Sequence, residues 1–213
     1  MIKNKSNKYT NSIKNINDDI DGQYKHLMAI IESPKFLLKQ GLGNDLPFYI
    51  YPFKPSLYNA VTDLKNKLIE NLSKNKIKVC EINLFELSIK ILKSRNLLDD
   101  LFGQESSLAK DEVKELLQNV LNPENYLIPE LTNLLTGQDY QVLFITGIGE
   151  VYPFIRSHNV LNNLQSTVSS KPMILFFPGK YTHSKTNGAS LDLFEILHDD
   201  RYYRAFNIFH CDP

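Results

Sequence analysis

The sequence predicts an α/β fold: a three-layer αβα architecture around a mainly parallel sheet of about five strands, interrupted by a helical insertion. Short apolar runs alternate along the chain with longer segments whose apolar residues recur at three- and four-residue spacing, the pattern of βαβ units. Two of those runs, residues 142–146 and 172–177, are apolar without alternation, as strands covered on both faces require. With 213 residues and 42% hydrophobic content, the chain can bury one sizeable core. Such a sheet is Rossmann-like or a degenerate relative of the P-loop sheets.

The elements follow in order. Residues 1–23 are rich in Lys, Asn and Asp and lack the apolar stretch of a secretory signal. Ile16, Ile20, Tyr24, Leu27, Met28 and Ile31 then mark one face of a helix that ends at Ser33-Pro34. Gly41-Leu42-Gly43-Asn44 supplies residues that tolerate positive φ and predicts a turn before the first strand, residues 47–51. Residues 55–74 form a helix with Leu57, Ala60, Val61, Leu64, Leu68 and Leu72 on one stripe and Pro55 in its first turn. Residues 77–82 are the second strand, and Leu84, Leu87, Ile91 and Leu92 mark the helix after it. Residues 97–135 are helical and charged, with breaks at Gly103, Pro123 and Pro129. The third strand is Val142 to Thr146, the fourth 172–177 and the fifth 204–209, with a short helix over 191–197 before the last. The expected organisation is an N-terminal helical extension over 1–35 and a single α/β domain over 36–213, whose helical insertion spans about 97–135.

Composition argues against several classes. Lys plus Arg equals Asp plus Glu, so no overall charge steers the chain to nucleic acid or an anionic membrane. No run reaches the roughly 18 apolar residues of a membrane span. Two cysteines fit a reducing, cytoplasmic compartment without disulfides. The five histidines form no pair or Cys/His cluster with zinc spacing, so no metal is expected.

Function is sought after the third strand, because ligands in open α/β sheets sit beyond the carboxyl ends of the strands. There the chain reads Thr146-Gly147-Ile148-Gly149-Glu150 and, shortly after, Arg156-Ser157-His158. Gly147-Ile148-Gly149 lacks the third glycine of a dinucleotide fingerprint, and Pro178-Gly179-Lys180 follows the next strand where the acidic partner would stand. No P-loop motif occurs, and the prolines of Pro52-Phe53-Lys54-Pro55 remove the backbone donors a phosphate cradle needs. No cofactor is expected. Glu150 is placed to act as a base or to favour a helix start; Arg156 suits a phosphate or carboxylate, Ser157 suits a helix cap, and His158 a backbone carbonyl. Gly147, Gly149, Glu150, Arg156, Ser157 and His158 are therefore the candidate ligand or anion site. Lys180 and Tyr181 lead into a polar loop, 182–190, that reads as a surface hairpin or lid. Arg201-Tyr202-Tyr203-Arg204 interleaves basic and aromatic residues. Because Arg and Tyr are enriched at interface hot spots, Lys180, Tyr181, Arg201, Tyr202 and Arg204 are candidate partner-binding residues, ahead of nucleic-acid binding.

Leu42-Gly43-Asn44 with Pro47-Phe48-Tyr49-Ile50, Ile82-Asn83-Leu84, Thr146-Gly147-Ile148-Gly149 with Tyr152-Pro153-Phe154-Ile155-Arg156-Ser157-His158, Pro178-Gly179-Lys180-Tyr181 and Tyr202-Tyr203-Arg204-Ala205-Phe206 together resemble the BrxB family. The resemblance runs from Phe36 to Phe209 and is weaker over the N-terminal segment. It implies membership of a BREX bacteriophage-defence system, alongside a DNA methyltransferase, a large ATPase and the alkaline-phosphatase-like protein PglZ, and brings no established catalytic activity. The expectation is a non-catalytic adaptor that binds other BREX proteins, PglZ foremost and the ATPase or methyltransferase besides, in support of phage exclusion and host DNA methylation. The alternatives are a nucleotide- or phosphate-responsive enzyme or sensor using the crevice after the third strand, and nucleic-acid binding through Lys180, Lys185, Arg201 and Arg204.

Overall fold

The computed structural model describes residues 19–40, 47–104, 107–167, 170–184, 188–199 and 205–213. Helix α1 covers Ile20–Ile31 and α2 Pro34–Leu37. Asp19 and Ser33 cap them, each side chain accepting a first-turn backbone N–H. Strand β1 is Phe48–Phe53, and a 3-10 turn at Pro55–Leu57 leads into α3, Tyr58–Lys74. Strand β2 is Val79–Asn83, followed directly by α4, Leu84–Ser94. Then come α5, Leu97–Gln104, and α6, Lys110–Val120, a π turn at Pro123–Leu127, and α7, Ile128–Leu135. Strand β3 is Val142–Thr146, α8 is Ser157–Thr167, β4 is Met173–Ser184, β5 Gly188–Leu193, β6 Leu197–Asp199 and β7 Phe206–Asn207.

Five strands pair in parallel in the order β2-β3-β4-β1-β7. In the dinucleotide-binding sheets the first two strands are neighbours. Here β2 is an edge and β1 lies between β4 and β7, in keeping with the absent dinucleotide fingerprint.

The unbroken apolar runs have a direct reason. Side chains alternate across a strand, and both faces of this sheet are covered. Phe48 and Ile50 of β1, Leu143 and Ile145 of β3, and Met173, Leu175 and Phe177 of β4 point into one core with Leu84, Leu87, Leu131, Val160 and Leu164 from the helices. Tyr49, Tyr51, Val142, Phe144, Ile174 and Phe176 point into the other, against Leu27, Ile30, Phe36, Val61 and Leu68. The three-layer sandwich follows from that alternation. Along α3 the buried residues Val61, Leu64, Leu68 and Leu72 keep the helical spacing, each contributing about 1.5–3 kcal/mol on burial. Tyr51 carries a hydroxyl deep in this second core; it donates to the buried Gln23 of α1, and burial raises its pKa. A buried hydroxyl without that acceptor would be costly.

Two expectations need correction. The segment expected as a helix over 191–197 is the end of β5, a turn and β6, paired antiparallel with Leu193 opposite Leu197. Its apolar residues fit either period, but Phe194 and Glu195 both adopt φ near +60° (56° and 65°), which no right-handed helix allows. The fourth strand also continues through Pro178-Gly179 to Ser184, where it pairs antiparallel with β5, so the 182–190 segment contributes to a hairpin. In the last expected strand, only Phe206–Asn207 pairs among the described residues.

Candidate functional site

The connection from β1 enters α3 on one face of the sheet, whereas those after β2 and β3 run through helices on the other. A crevice opens where they part, at the carboxyl ends of β1, β2 and β3. Its walls include Tyr58, Lys65, Glu81, Asn83, Thr146, Gly147, Gly149, Glu150 and Pro178.

Gly147 is at φ 79°, a conformation costly for residues with a Cβ. A Cβ there would also stand 2.5 Å from Asn83 Oδ1. That oxygen is already engaged: it accepts the Phe85 and Glu86 N–H groups at 2.8 and 3.1 Å and so caps α4. The first glycine of the Gly-x-Gly turn thus serves close packing of two strand ends. Gly149 is similar, since a Cβ would lie 2.8 Å from Pro178 and 2.9 Å from the Phe194 ring.

The polar groups of the crevice are satisfied by one another. Lys65 Nζ donates to both Glu81 oxygens at 2.6 and 2.7 Å, with the two side chains only 14% and 25% exposed. Thr146 Oγ1 donates to Glu81 Oε1 at 3.0 Å. Tyr58 donates to Glu150, and the phenol is held up to about 12 by that hydrogen bond first, then by burial and by the charges of Glu150 and Glu81. Two carboxylates face one ammonium, so the crevice repels an anion. Its free volume is about 80 Å³, enough for a few waters and below the roughly 300 Å³ at which small-molecule sites begin.

Arg156, Ser157 and His158 lie elsewhere. They line a separate hollow of about 270 Å³ with Tyr152, Leu191, Leu193, Ile196, Leu197 and His198. Ser157 was expected as a cap, but the carbonyl of Arg156 accepts the N–H groups of Asn159 and Val160, so Arg156 holds the cap position and Ser157 is the first helical residue. Ser157 and His158 are buried, whereas the Arg156 side chain is exposed. Opposite them Asp192 engages His198 Nδ1, and Ser190 Oγ lies 3.0 Å from Asp192 and 3.2 Å from the same Nδ1. Serine and aspartate share one ring nitrogen, which is not the arrangement of a hydrolytic triad, where they occupy opposite nitrogens.

The remaining candidates fall in a third region. Lys180 Nζ is 3.3 Å from Glu195. Tyr181 is buried, its hydroxyl donating to the Ala205 carbonyl at 2.7 Å, so it ties the hairpin to the chain end. Arg201, Tyr202 and Arg204, and with them Lys185, lie outside the described residues. Among the described residues no cluster of three or more His, Cys, Asp or Glu is placed to hold a metal, and no helix is long and apolar enough to cross a membrane.

Sequence reasoning missed Lys65, Glu81 and Tyr58. Glu81 carried a signal, a lone carboxylate inside the strand Val79-Cys80-Glu81-Ile82 whose neighbours are apolar. Lys65 and Tyr58 carried none, because helix spacing does not say which polar residue meets a strand.

Comparison with known proteins agrees with the sequence motifs. The family "BREX protein BrxB" matches residues 80–208, more than half of the chain. A protein of Bacillus cereus (strain H3081.97) called BREX protein BrxB is 30% identical over 200 residues, covering 92% of this chain and 98% of that one. Another of the same name from Escherichia coli O9:H4 (strain HS) is 26% identical over 192 residues, covering 89% and 91%. No solved structure gives a significant match. On the extent of these matches, the chain belongs to the BrxB family of BREX proteins.

Proposed function

We propose that this BREX protein is a non-catalytic adaptor that binds other BREX components, PglZ foremost, and through them supports phage exclusion and methylation of host DNA. One observation carries the reading. The turn joining β5 and β6 presents Ile196 with 79% of its surface exposed, next to two consecutive non-glycine residues in the left-handed region. Each such residue costs on the order of 1–2 kcal/mol. The turn is nevertheless fixed: Phe194 N–H donates to the Pro178 carbonyl at 2.8 Å and Glu195 N–H to the Asp192 carbonyl at 3.0 Å. Strain kept at the surface beneath an exposed aliphatic side chain fits a rigid contact point for another protein. The crevice beside Gly147 supports the nucleotide reading less well, being small, negatively charged and internally satisfied. Nucleic-acid binding rests on basic residues of which only Lys180 is described, and that one is paired with Glu195.

Co-purification of the tagged full chain with each BREX protein tests the adaptor. PglZ should be retained by the wild type and reduced at least tenfold with Ile196→Asp. Retention of no BREX protein at micromolar concentration overturns the reading.

A further inference from the structure

We infer that the hollow at the N-terminus of α8 is an oxyanion site, taking a carboxylate or phosphate group carried on a small apolar body. The inference does not rest on the adaptor reading, although Ile196 borders this hollow too. α8 has 11 residues, enough for its first-turn N–H groups to present a concentrated positive end. Ser157 supplies the second, independent observation. It is only 8% exposed and lines the hollow, yet among the described residues its hydroxyl has no hydrogen-bond partner. Buried hydroxyls are normally satisfied, and this one belongs to a residue lining an open space that an acceptor oxygen can fill. Arg156 lines the same hollow and likewise makes no ion pair or hydrogen bond among the described residues. Guanidinium, hydroxyl and helix N-terminus thus border one hollow, and among the described residues neither side chain has an acceptor there.

Asp192 is turned onto His198 and Ser190, so its carboxylate is engaged and does not confront the hollow. His158, next to Ser157 on α8, adds no negative charge. The rest of the wall is mostly aliphatic, from Leu191, Leu193, Ile196 and Leu197, with Tyr152 and His198 beside them. The volume of about 270 Å³ exceeds what a bare ion needs and lies just under the roughly 300 Å³ at which small-molecule sites begin, so the ligand body is small. A group with an acidic end against Arg156 and Ser157 and an alkyl body against these residues fits the hollow on both counts. The Gly147 crevice has the opposite character, which separates this site from the nucleotide reading considered above.

Amide chemical-shift titration of the full chain with inorganic phosphate, phenyl phosphate and butyrate tests the site. Saturable shifts are expected at Ser157, His158 and Asn159, with phenyl phosphate or butyrate binding more tightly than inorganic phosphate because of the apolar wall. The tighter of the two organic anions identifies the source of the oxyanion. Arg156→Gln should weaken binding about tenfold, the usual effect of losing a charge-assisted hydrogen bond, and Ser157→Ala several-fold. Arg156→Lys, which keeps the charge and loses the fork, should fall between. Absence of saturable shifts, or equal affinity in Arg156→Gln and the wild type, overturns the inference. So does equal binding of all three anions with shifts spread over the surface.

Discussion

In one short connection after β3 the chain lines two hollows of opposite construction. The first, beside Gly147, is closed upon itself. Lys65, Glu81, Thr146, Tyr58 and Glu150 satisfy one another, a Cβ on either glycine would collide, and little volume is left. The second, beside Arg156, is larger and keeps donors without acceptors. The comparison separates position from availability. Strand topology puts the first hollow where α/β sheets bind ligands, but its polar residues hold the fold together there. A ligand is better served by the less central hollow, where the side chains of Arg156 and Ser157 have no partner among the described residues.

If that contrast is right, substitutions in the first hollow should act on stability. The largest effect is expected from Glu81→Ala, which leaves the Lys65 ammonium, only 14% exposed, without its counter-charge and removes the acceptor for Thr146. Breaking a fully buried pair costs about 3–5 kcal/mol, and the residual exposure of both partners brings the expectation to about 3. Urea unfolding of the full chain measures it. The double substitution Lys65→Met with Glu81→Leu should recover most of the loss, since no lone charge then remains. If Glu81→Ala leaves stability unchanged while abolishing binding of some nucleotide, the crevice is a ligand site after all and the comparison breaks.

Gly147→Ala should come next, at about 2 kcal/mol. The left-handed backbone accounts for about 1–2 of this, and the clash with Asn83 Oδ1 weakens the α4 cap as well. A thermal melt shows it as a lowered Tm with unchanged secondary structure by circular dichroism. Asn83→Ala, which removes the obstructing oxygen together with the cap, should couple to it, so the two losses should not add.

The sequence made most of this frame legible, for reasons that can be named. The doubly apolar runs at Val142–Thr146 and Met173–Phe177 announced buried parallel strands because both faces are packed, and the helical stripe of α3 appeared as spaced leucines. The segment 191–197 misled because Leu191, Leu193, Phe194, Ile196 and Leu197 satisfy both periods, and only the backbone at Phe194 and Glu195 decides between them. The candidate site was legible as a location and was not resolved into its parts. Gly147 and Arg156 are close in sequence, and nothing in their spacing shows that the residues between turn the chain into a second hollow. The Lys65–Glu81 pair joins a helix to a strand, and pairing of that kind has no sequence period.

The smallest expected effect separates the two hollows most sharply. Arg156→Gln removes an exposed guanidinium that has no partner among the described residues, so the folded state loses no ion pair or hydrogen bond. Surface substitutions of that kind stay within about 0.5 kcal/mol. Its position as cap of α8 is held by its backbone carbonyl, which the substitution keeps. Urea unfolding should therefore be indistinguishable from the wild type, in the same experiment in which Glu81→Ala is strongly shifted. A loss of 2 kcal/mol or more would mean that Arg156 supports the fold as Glu81 does, leaving no spare donor at α8. An unchanged midpoint, together with weakened anion binding, is the result that only a site kept free for a ligand produces.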